Sequence, residues 1–320
     1  MDNATGAAAP PPASSTLAFR TTMDFTYGEA RELQPGVARI VANNPGPFTF
    51  KGTNTYILGT ESLAVIDPGP EDPDHLAGIM AYAAGRPITH ILITHTHRDH
   101  VDGLRDLLSA TDATVCGFGR AQLEQDPRLR SLTGRSFIDV DFEPDVALRD
   151  GDTVRGPDWS VEALHTPGHA PDHLCFDWAD MAVVFSGDHV MGWNTTVVAP
   201  PEGHMGDYMA SLQKLADRAT TVFYPGHGGQ IGEPRKVAKA YMVHRRMREQ
   251  AIHDAIKKGH ATVSTIVDLV YKGLDPTLIN AARMSVLAHV EHLQERQQIE
   301  AAADGPLDFE TKLIATKPPA

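Results

Sequence analysis

Cysteine is scarce in this chain, which has only two in 320 residues, Cys116 and Cys175. Two cysteines are too few for the disulfide framework of small secreted domains. Both lie in segments that we predict as strands, where a thiol packs as a small apolar side chain. Long apolar runs are also lacking, because no stretch approaches the ~20 residues of a membrane-spanning helix. Basic residues are outnumbered, and the formal net charge of −13 at pH 7 opposes non-specific attraction to nucleic-acid backbones. We therefore expect a cytoplasmic protein without a membrane segment.

The two ends of the chain contain few residues that could build a core. Residues 1–22 are rich in alanine and proline and lack both the basic opening and the uninterrupted apolar stretch of a secretory signal, so we predict a disordered tail there. A shorter tail is predicted over residues 305–320. The composition of the whole chain, 42% hydrophobic and 22% charged, is that of an ordinary globular protein. Between the tails we predict a larger domain over residues 23–231 and a smaller one over residues 232–304.

The larger domain is predicted to consist of short apolar strands separated by turns and a few helices. Strands are expected at Thr55–Leu58, Leu63–Ile66, His90–Ile93, Thr114–Cys116, Trp159–Leu164, Leu174–Asp177, Met181–Phe185 and Thr221–Tyr224, and helices at Asp74–Ala84, Val101–Ala110 and Asp207–Ala219. After residue 232 the pattern predicts helices alone, at Pro234–Gly259, Thr262–Tyr271 and Pro276–Gln298. The first of them is basic, which favours either a contact with nucleic acid or a solvated face paired with the acidic main domain.

The run from Thr94 to His100, Thr-His-Thr-His-Arg-Asp-His, is the most informative part of the sequence. It follows an apolar strand and precedes a predicted helix. In an extended segment alternate side chains share a face, so His95 and His97 can bind one metal ion together. Asp99 and His100 lie where the chain turns into the helix and can point at a second ion. A solvated histidine-rich loop is the alternative, and the presence of both nitrogen and oxygen ligands at this spacing favours the metal site.

Three later segments can supply the remaining ligands, and all have the same local form of apolar strand, tight turn and polar donor. His169 follows Pro167–Gly168, Asp188 follows the strand that ends at Gly187, and His227 follows Pro225–Gly226. A ligand just beyond a strand end is held rigidly on one side and exposed on the other. Such a position leaves a coordination site open for water or substrate.

The set His95-x-His97-x-Asp99-His100, His169, Asp188 and His227 resembles the metallo-β-lactamase superfamily of dinuclear metal hydrolases. The resemblance covers roughly residues 35 to 230 and includes the strand and turn Val65–Gly69. Asn44–Thr49 with Gly52–Tyr56 is similar to the subgroup of β-lactamase-like protein 2. The resemblance implies an α+β fold, an αββα sandwich with a small C-terminal helical, winged-helix-like domain. It also implies ligands His95, His97 and His169 for one metal, Asp99, His100 and His227 for the other, and Asp188 as the bridge between them.

The expected cofactor is Zn²⁺, two ions per chain, with Fe or Mn as alternatives. Two dications roughly 3.5–4 Å apart can hold both the attacking and the departing oxygen of a displacement, and water bound to zinc has a pKa of about 7. On this interpretation Asp188 partly neutralises the ions, and Asp99 is both a ligand and a catalytic residue that orients the bridging hydroxide. The proton donor is open. His173 and His189 are the candidates, His173 being preferred, and a hydrogen-bonding partner of the ligands is the alternative role for each.

We expect a dinuclear zinc-dependent hydrolase that acts on a small-molecule ester, thioester or lactone. The resemblance also includes a metal-dependent endoribonuclease acting on single-stranded RNA, and the basic helix after Pro234 favours that alternative while the net charge does not. A β-lactamase, an iron-dependent oxidoreductase of the same fold and a catalytically inactive binding module are weaker alternatives. Specificity would depend on loops such as Phe48–Asn54 and Met191–Met205. A homodimer is expected only on general grounds.

Overall fold

The computed structural model describes residues 19–119, 139, 142–302 and 307–316. Most of the predicted tail 1–22, and parts of the predicted tail 305–320, lie outside these residues. The described chain forms two facing β-sheets with helices on their outer sides, followed by a smaller helical part with a β-hairpin.

The first sheet contains the strands from the N-terminal half of the chain. They are β1 (Arg31–Gln34), β2 (Val37–Val41), β3 (Asn54–Leu58), β4 (Leu63–Ile66), β5 (Ile88–Leu92), β6 (Thr114–Gly117) and β7 (Val146–Ala147), and they pair in this order. Pairing is antiparallel from β1 to β4 and parallel from β4 to β7. Parallel neighbours need crossover connections; α1 (Pro73–Ala83) lies between β4 and β5, and α2 (Arg98–Val101) and α3 (Leu104–Ser109) lie between β5 and β6.

The second sheet contains the strands that follow. They are β8 (Thr153–Arg155), β9 (Ser160–His165), β10 (Leu174–Trp178), β11 (Val183–Gly187), β12 (Val222–Pro225) and β13 (Ile231–Gly232), again paired in chain order. Only β11 and β12 are parallel, and α4 (Met205–Ala216) lies between them in the chain. A 3₁₀ turn over Ala179–Met181 separates β10 from β11.

Alternation along the strands explains why the two sheets pack face to face. In β3, Tyr56 and Leu58 are buried in the core between the sheets, whereas Ile57 points outward into the cluster that includes Ile79 of α1. Successive side chains of a strand alternate between faces, so a fully apolar strand buries both. The outer face of the second sheet is covered in the same way by α4 and by the long helix that follows. The predicted αββα sandwich is confirmed.

The C-terminal part is built on one long helix, α5 (Pro234–Lys257), followed by α6 (Val263–Val270), a 3₁₀ turn at Pro276–Leu278, α7 (Ile279–Glu295) and a hairpin of β14 (Ile299–Ala301) and β15 (Leu313–Ala315). The first half of α5 packs on α4 through Ala238, Tyr241 and Met242. Its second half lies in a separate core with α6 and α7. The hairpin was not expected from the sequence, and β15 lies within the range 305–320.

Both cysteines are buried and unpaired, Cys116 in β6 of the first sheet and Cys175 in β10 of the second. Burial raises the pKa of Cys116 to about 11 and that of Cys175 to about 12, so both remain protonated, apolar side chains. Among the described residues no helix is both long enough and apolar enough to cross a bilayer.

Candidate active site

Seven candidate ligands lie just beyond strand ends. In chain order they are His95, His97, Asp99 and His100 after β5, His169 between β9 and β10, Asp188 after β11 and His227 after β12. The parallel pairs β4–β5 and β11–β12 place the carboxyl ends of neighbouring strands at a common edge. The edges of both sheets meet there, and the structure brings all seven side chains together.

The first group of ligands is His95, His97 and His169. The Nε2 atom of His95 and the Nε2 atom of His169 lie 2.9 and 3.1 Å from Nδ1 of His97. Three ring nitrogens this close together could bind one metal ion.

The second group is Asp99, His100 and His227. The Oδ2 atom of Asp99 lies 3.5 Å from His100 Nε2 and 3.2 Å from His227 Nε2. These ligand atoms combine nitrogen and carboxylate oxygen, a donor set that suits zinc and also iron or manganese.

Asp188 lies between the two groups. Its Oδ1 is 3.6 Å from His100 Nε2, and its Oδ2 is 3.7 Å from His169 Nε2 and 3.3 Å from His227 Nε2. The Asp188 Oδ1 and His100 Nε2 atoms are buried and have no hydrogen-bond partner. Buried polar atoms without partners are costly in a protein interior. A bound cation would provide the missing partner for both atoms. The two groups and Asp188 can therefore hold metal ions.

A surrounding layer of acceptors fixes which ring nitrogen three of the histidines present. Asp67 Oδ2 lies 2.9 Å from His100 Nδ1, the carbonyl of Val197 lies 2.7 Å from His169 Nδ1, and the carbonyl of Gly52 lies 3.2 Å from His227 Nδ1. An acceptor at Nδ1 holds the proton there and leaves the Nε2 lone pair for a metal ion.

Asp99 is held by a contact from the first sheet. Thr53 Oγ1 donates to Asp99 Oδ2 at 3.1 Å, and Asn44 bonds both the backbone and the hydroxyl of Thr53. The side chain of Asp99 is 29% exposed, and that of His97 is 16% exposed, whereas Asp188 is 9% exposed. Asp99 and His97 therefore mark the side from which solvent and substrate reach the site.

His173 lies behind the ligands and is fully buried. Its Nδ1 bonds the hydroxyl of Thr166 at 2.9 Å, and its Nε2 accepts from the backbone N–H of Asp188 at 3.1 Å. Because both ring nitrogens are used within the protein, this geometry favours support of Asp188 over transfer of a proton to a leaving group.

The ionisation of the site follows from its burial and its two carboxylates. Burial, together with His97, lowers the pKa of His169 to about 4, so this ligand stays neutral. Burial opposes a charge on His227 as well, but Asp188 and Asp99 raise its pKa to about 9. Burial would raise the pKa of Asp99 and of Asp188, but the neighbouring histidines hold both pKa values below the usual range. Metal binding would displace the protons that the second group shares.

Several residues of the site were not assigned a role from the sequence. Asp67 accepts from the N–H and the hydroxyl of Thr94 as well as facing His100, and Asp172 accepts the same two bonds from Thr96. Glu202 Oε2 lies 3.4 Å from His97 Nε2. Asp67 could have been found, since it follows an apolar strand and precedes Pro-Gly, much as the ligands do.

Comparison with known proteins identifies the family of the chain. Residues 48–227 match the family model described as Metallo-beta-lactamase superfamily, and residues 262–306 match the Beta-lactamase associated winged helix domain. The chain is 32% identical over 288 residues to a Beta-lactamase-like protein 2 homolog of Drosophila melanogaster, covering 87% of this chain and 94% of the relative. It is 32% identical over 256 residues to an Atrochrysone carboxyl ACP thioesterase of Aspergillus chevalieri, covering 76% and 75%.

The fold also resembles the crystal structure of a Beta-lactamase domain protein from Burkholderia ambifaria, with a TM-score of 0.75 and 20% identity over 92% of this chain and 95% of that one. The predicted family, the resemblance to β-lactamase-like protein 2 and the winged-helix-like C-terminal domain are confirmed. The chain is a hydrolase that belongs to the metallo-beta-lactamase superfamily.

Proposed function

We propose that this chain hydrolyses small acyl esters or thioesters with the help of two divalent metal ions, Zn²⁺ being the expected metal. The observation that carries the proposal is the convergence of seven candidate ligand side chains, among them Asp188, whose Oδ1 is buried without a hydrogen-bond partner. The names of two relatives, both Atrochrysone carboxyl ACP thioesterases, support the acyl substrate class.

The two spatial groups of proposed ligands correspond to two metal ions. His95, His97 and His169 would hold one ion, Asp99, His100 and His227 the other, and Asp188 both. When bound, such ions lower the pKa of water and polarise the acyl carbonyl.

Side chains of the protein would orient the attacking water and receive its proton. Asp99 is held by Thr53 on one side and partly exposed on the other, so its carboxylate can orient the attacking water and receive its proton. His173 would act as a positioning residue, because its Nε2 accepts from the N–H of Asp188.

Exposed apolar side chains on two loops that contact the site support an acyl substrate. Phe48 is 59% exposed and lies on the segment between Asn44 and Thr53. Val197 is 38% exposed, and its carbonyl accepts from the ligand His169. Both lie on the loops that the sequence marked for specificity, and they offer contact to a hydrocarbon chain.

RNA cleavage is the second candidate. The basic segment after Pro234, which forms α5, favoured RNA cleavage in the sequence. However, α5 does not expose all of its basic residues to solvent. Arg245 is buried, and the guanidinium of Arg248 lies 4.3 Å from the ring centre of Tyr271. An RNA substrate, a homodimer, the cytoplasmic location and the domain limits 23–231 and 232–304 stay predictions.

The test uses the purified full-length protein, its Asp188→Ala variant and Asp180→Ala as a control, since Asp180 is an exposed carboxylate on the turn before β11. Metal content is measured, and turnover is assayed with thioesters, lactones, a phosphodiester reporter and short single-stranded RNA. We expect about two zinc ions per wild-type chain, turnover of a thioester or ester, and loss of that activity in Asp188→Ala alone. Wild-type turnover by Asp188→Ala with full metal content would contradict the two-ion mechanism, one iron per chain would favour oxygen chemistry, and RNA cleavage alone would replace the acyl assignment.

A further inference from the structure

The segment 188–197 connects two of the proposed metal ligands. It begins with Asp188, and at its other end the carbonyl of Val197 accepts from Nδ1 of His169 at 2.7 Å. The first ion would be held in part by each of these side chains. The position of the segment therefore determines how well that ion is bound.

Helix α5 holds this segment through two buried side chains. The hydroxyl of Tyr241 contacts the carbonyl oxygens of Met191 and Asn194, between which its one proton is shared, and Nη2 of Arg245 donates to the carbonyl of Thr196. Tyr241 is fully buried and Arg245 is 5% exposed. They are four positions apart, so they lie on the same face of the helix, one turn from each other.

The bonds to the segment continue to the backbone of Asp188. Thr196 Oγ1 lies 2.8 Å from the carbonyl oxygen of Asp188 and 3.0 Å from that of His189, and its one proton is shared between them. Tyr208 of α4 also donates to the carbonyl of His189. The guanidinium of Arg245 lies 5.2 Å from the centre of the Tyr208 ring. Two steps of contact thus separate α5 from the peptide that carries the bridging carboxylate.

The same helix is anchored in the C-terminal domain. Glu249, one turn beyond Arg245, accepts from His292 of α7 at 2.6 Å and from Arg296, directly after α7, at 2.9 Å. Its last turns, with Ile252 and Ile256, lie in the core formed with α6 and α7. The face that holds the segment 188–197 is therefore fixed from the C-terminal side as well.

We infer that Tyr241 and Arg245 are positioning residues for the metal site, through which the C-terminal domain supports the ion held by His95, His97 and His169. The inference rests on the metal assignment of the proposed function. The ion at Asp99, His100 and His227 depends less on α5, because the carbonyl of Gly52 and the carboxylate of Asp67 support two of its ligands.

The test measures the affinity of the full-length protein for two equivalents of Zn²⁺ by competition with a chromophoric chelator. Tyr241→Phe removes one hydroxyl and keeps the packing, and we expect it to weaken one equivalent roughly 10- to 100-fold and the other much less. Arg245→Met should act in the same direction and Arg245→Lys should recover part of the loss, while Arg246→Met, an exposed neighbour on the same helix, should bind as the wild type does.

Thermal unfolding in excess chelator separates positioning from general stability. Selective loss of one equivalent by a folded Tyr241→Phe protein supports the inference, also when its melting temperature falls modestly because two buried carbonyl oxygens lose their donor. Wild-type affinity for both equivalents, an equal loss of both with a lower melting temperature, or a Tyr241→Phe chain that does not fold would each overturn it. If Arg245→Met does not fold, Tyr241→Phe decides. Should the wild type bind no metal, both this inference and the proposed function fail, whereas normal wild-type binding with unaltered variants defeats this inference alone.

Discussion

Replacing Asp67 by Asn tests whether the supporting layer sets the tautomer of a metal ligand. Asp67 Oδ2 faces His100 Nδ1 at 2.9 Å and accepts from Thr94 Oγ1 at 2.7 Å, while its Oδ1 accepts from the N–H of Thr94 at 2.8 Å. In Asp67→Asn, the amide oxygen can keep only one of these positions. If it stays on the N–H of Thr94, the amide NH₂ faces His100 Nδ1, and the proton of the imidazole moves to Nε2, the nitrogen meant for the metal.

The size of the effect follows from the bonds that are lost. A hydrogen bond to a charged partner contributes about 1.5–3 kcal/mol, and each 1.4 kcal/mol corresponds to about tenfold in affinity. We expect the affinity for the ion at Asp99, His100 and His227 to fall roughly 10- to 100-fold. Backbone strain does not contribute, because Asp67 has φ of 53°, and asparagine tolerates this left-handed region well.

Asp172→Asn is the matched control. Asp172 is also buried and also accepts from the N–H and hydroxyl of a threonine, Thr96, but none of its hydrogen bonds reaches a ring nitrogen of a ligand. Chelator competition should show weak binding of one equivalent in Asp67→Asn and near wild-type binding in Asp172→Asn, with both variants folded in excess chelator. Tight binding of both equivalents by a folded Asp67→Asn protein would refute the tautomer argument.

Two further changes probe the packing of the site and the C-terminal contacts. In Gly226→Ala the new Cβ would lie 2.4 Å from Asp188 Oδ1, so we expect loss of metal binding and activity. Gly232→Ala is the control, because a Cβ there meets nothing within 4 Å. Equal metal content in the two variants would contradict the predicted clash. Burial would raise the pKa of Glu249, but two neighbouring histidines of α7, His292 at 2.6 Å and His289 at 3.6 Å, lower it from the ordinary 4.5 to about 2. The contribution of Glu249 to stability is therefore present above pH 4.5 and is lost as the pH falls towards 2. The free energy of unfolding, measured by urea titration, should fall less steeply with decreasing pH in Glu249→Gln than in the wild type. Identical slopes would argue against the contribution.

The candidate ligands could be predicted from the sequence because each follows a short apolar strand and a turn. Strand Leu63–Ile66 has the predicted limits, and His90–Ile93 is displaced by only one or two residues from β5. These strands are buried on both faces, and continuous apolar runs bounded by turns identify such strands well.

Contacts between distant parts of the chain could not be predicted in this way. The bond from Thr53 to Asp99 spans 46 residues, and the bond from Arg245 to Thr196 spans 49. No local pattern distinguishes Arg245, which is buried in the site's support, from its exposed neighbour Arg246. The hairpin of β14 and β15 was missed because its strands are three residues long and only partly apolar.

The continuity of α5 limits how this chain can change. The helix has 24 residues and spans about 36 Å, with its contacts to the segment 188–197 in the first half and its winged-helix contacts in the second. Inserting or deleting a single residue between Arg245 and Ile252 would rotate one half against the other by about 100°, so one of the two sets of contacts would face water. The number of residues between the two sets of contacts is therefore fixed by the helix, whereas its solvent-facing side chains take part in neither set.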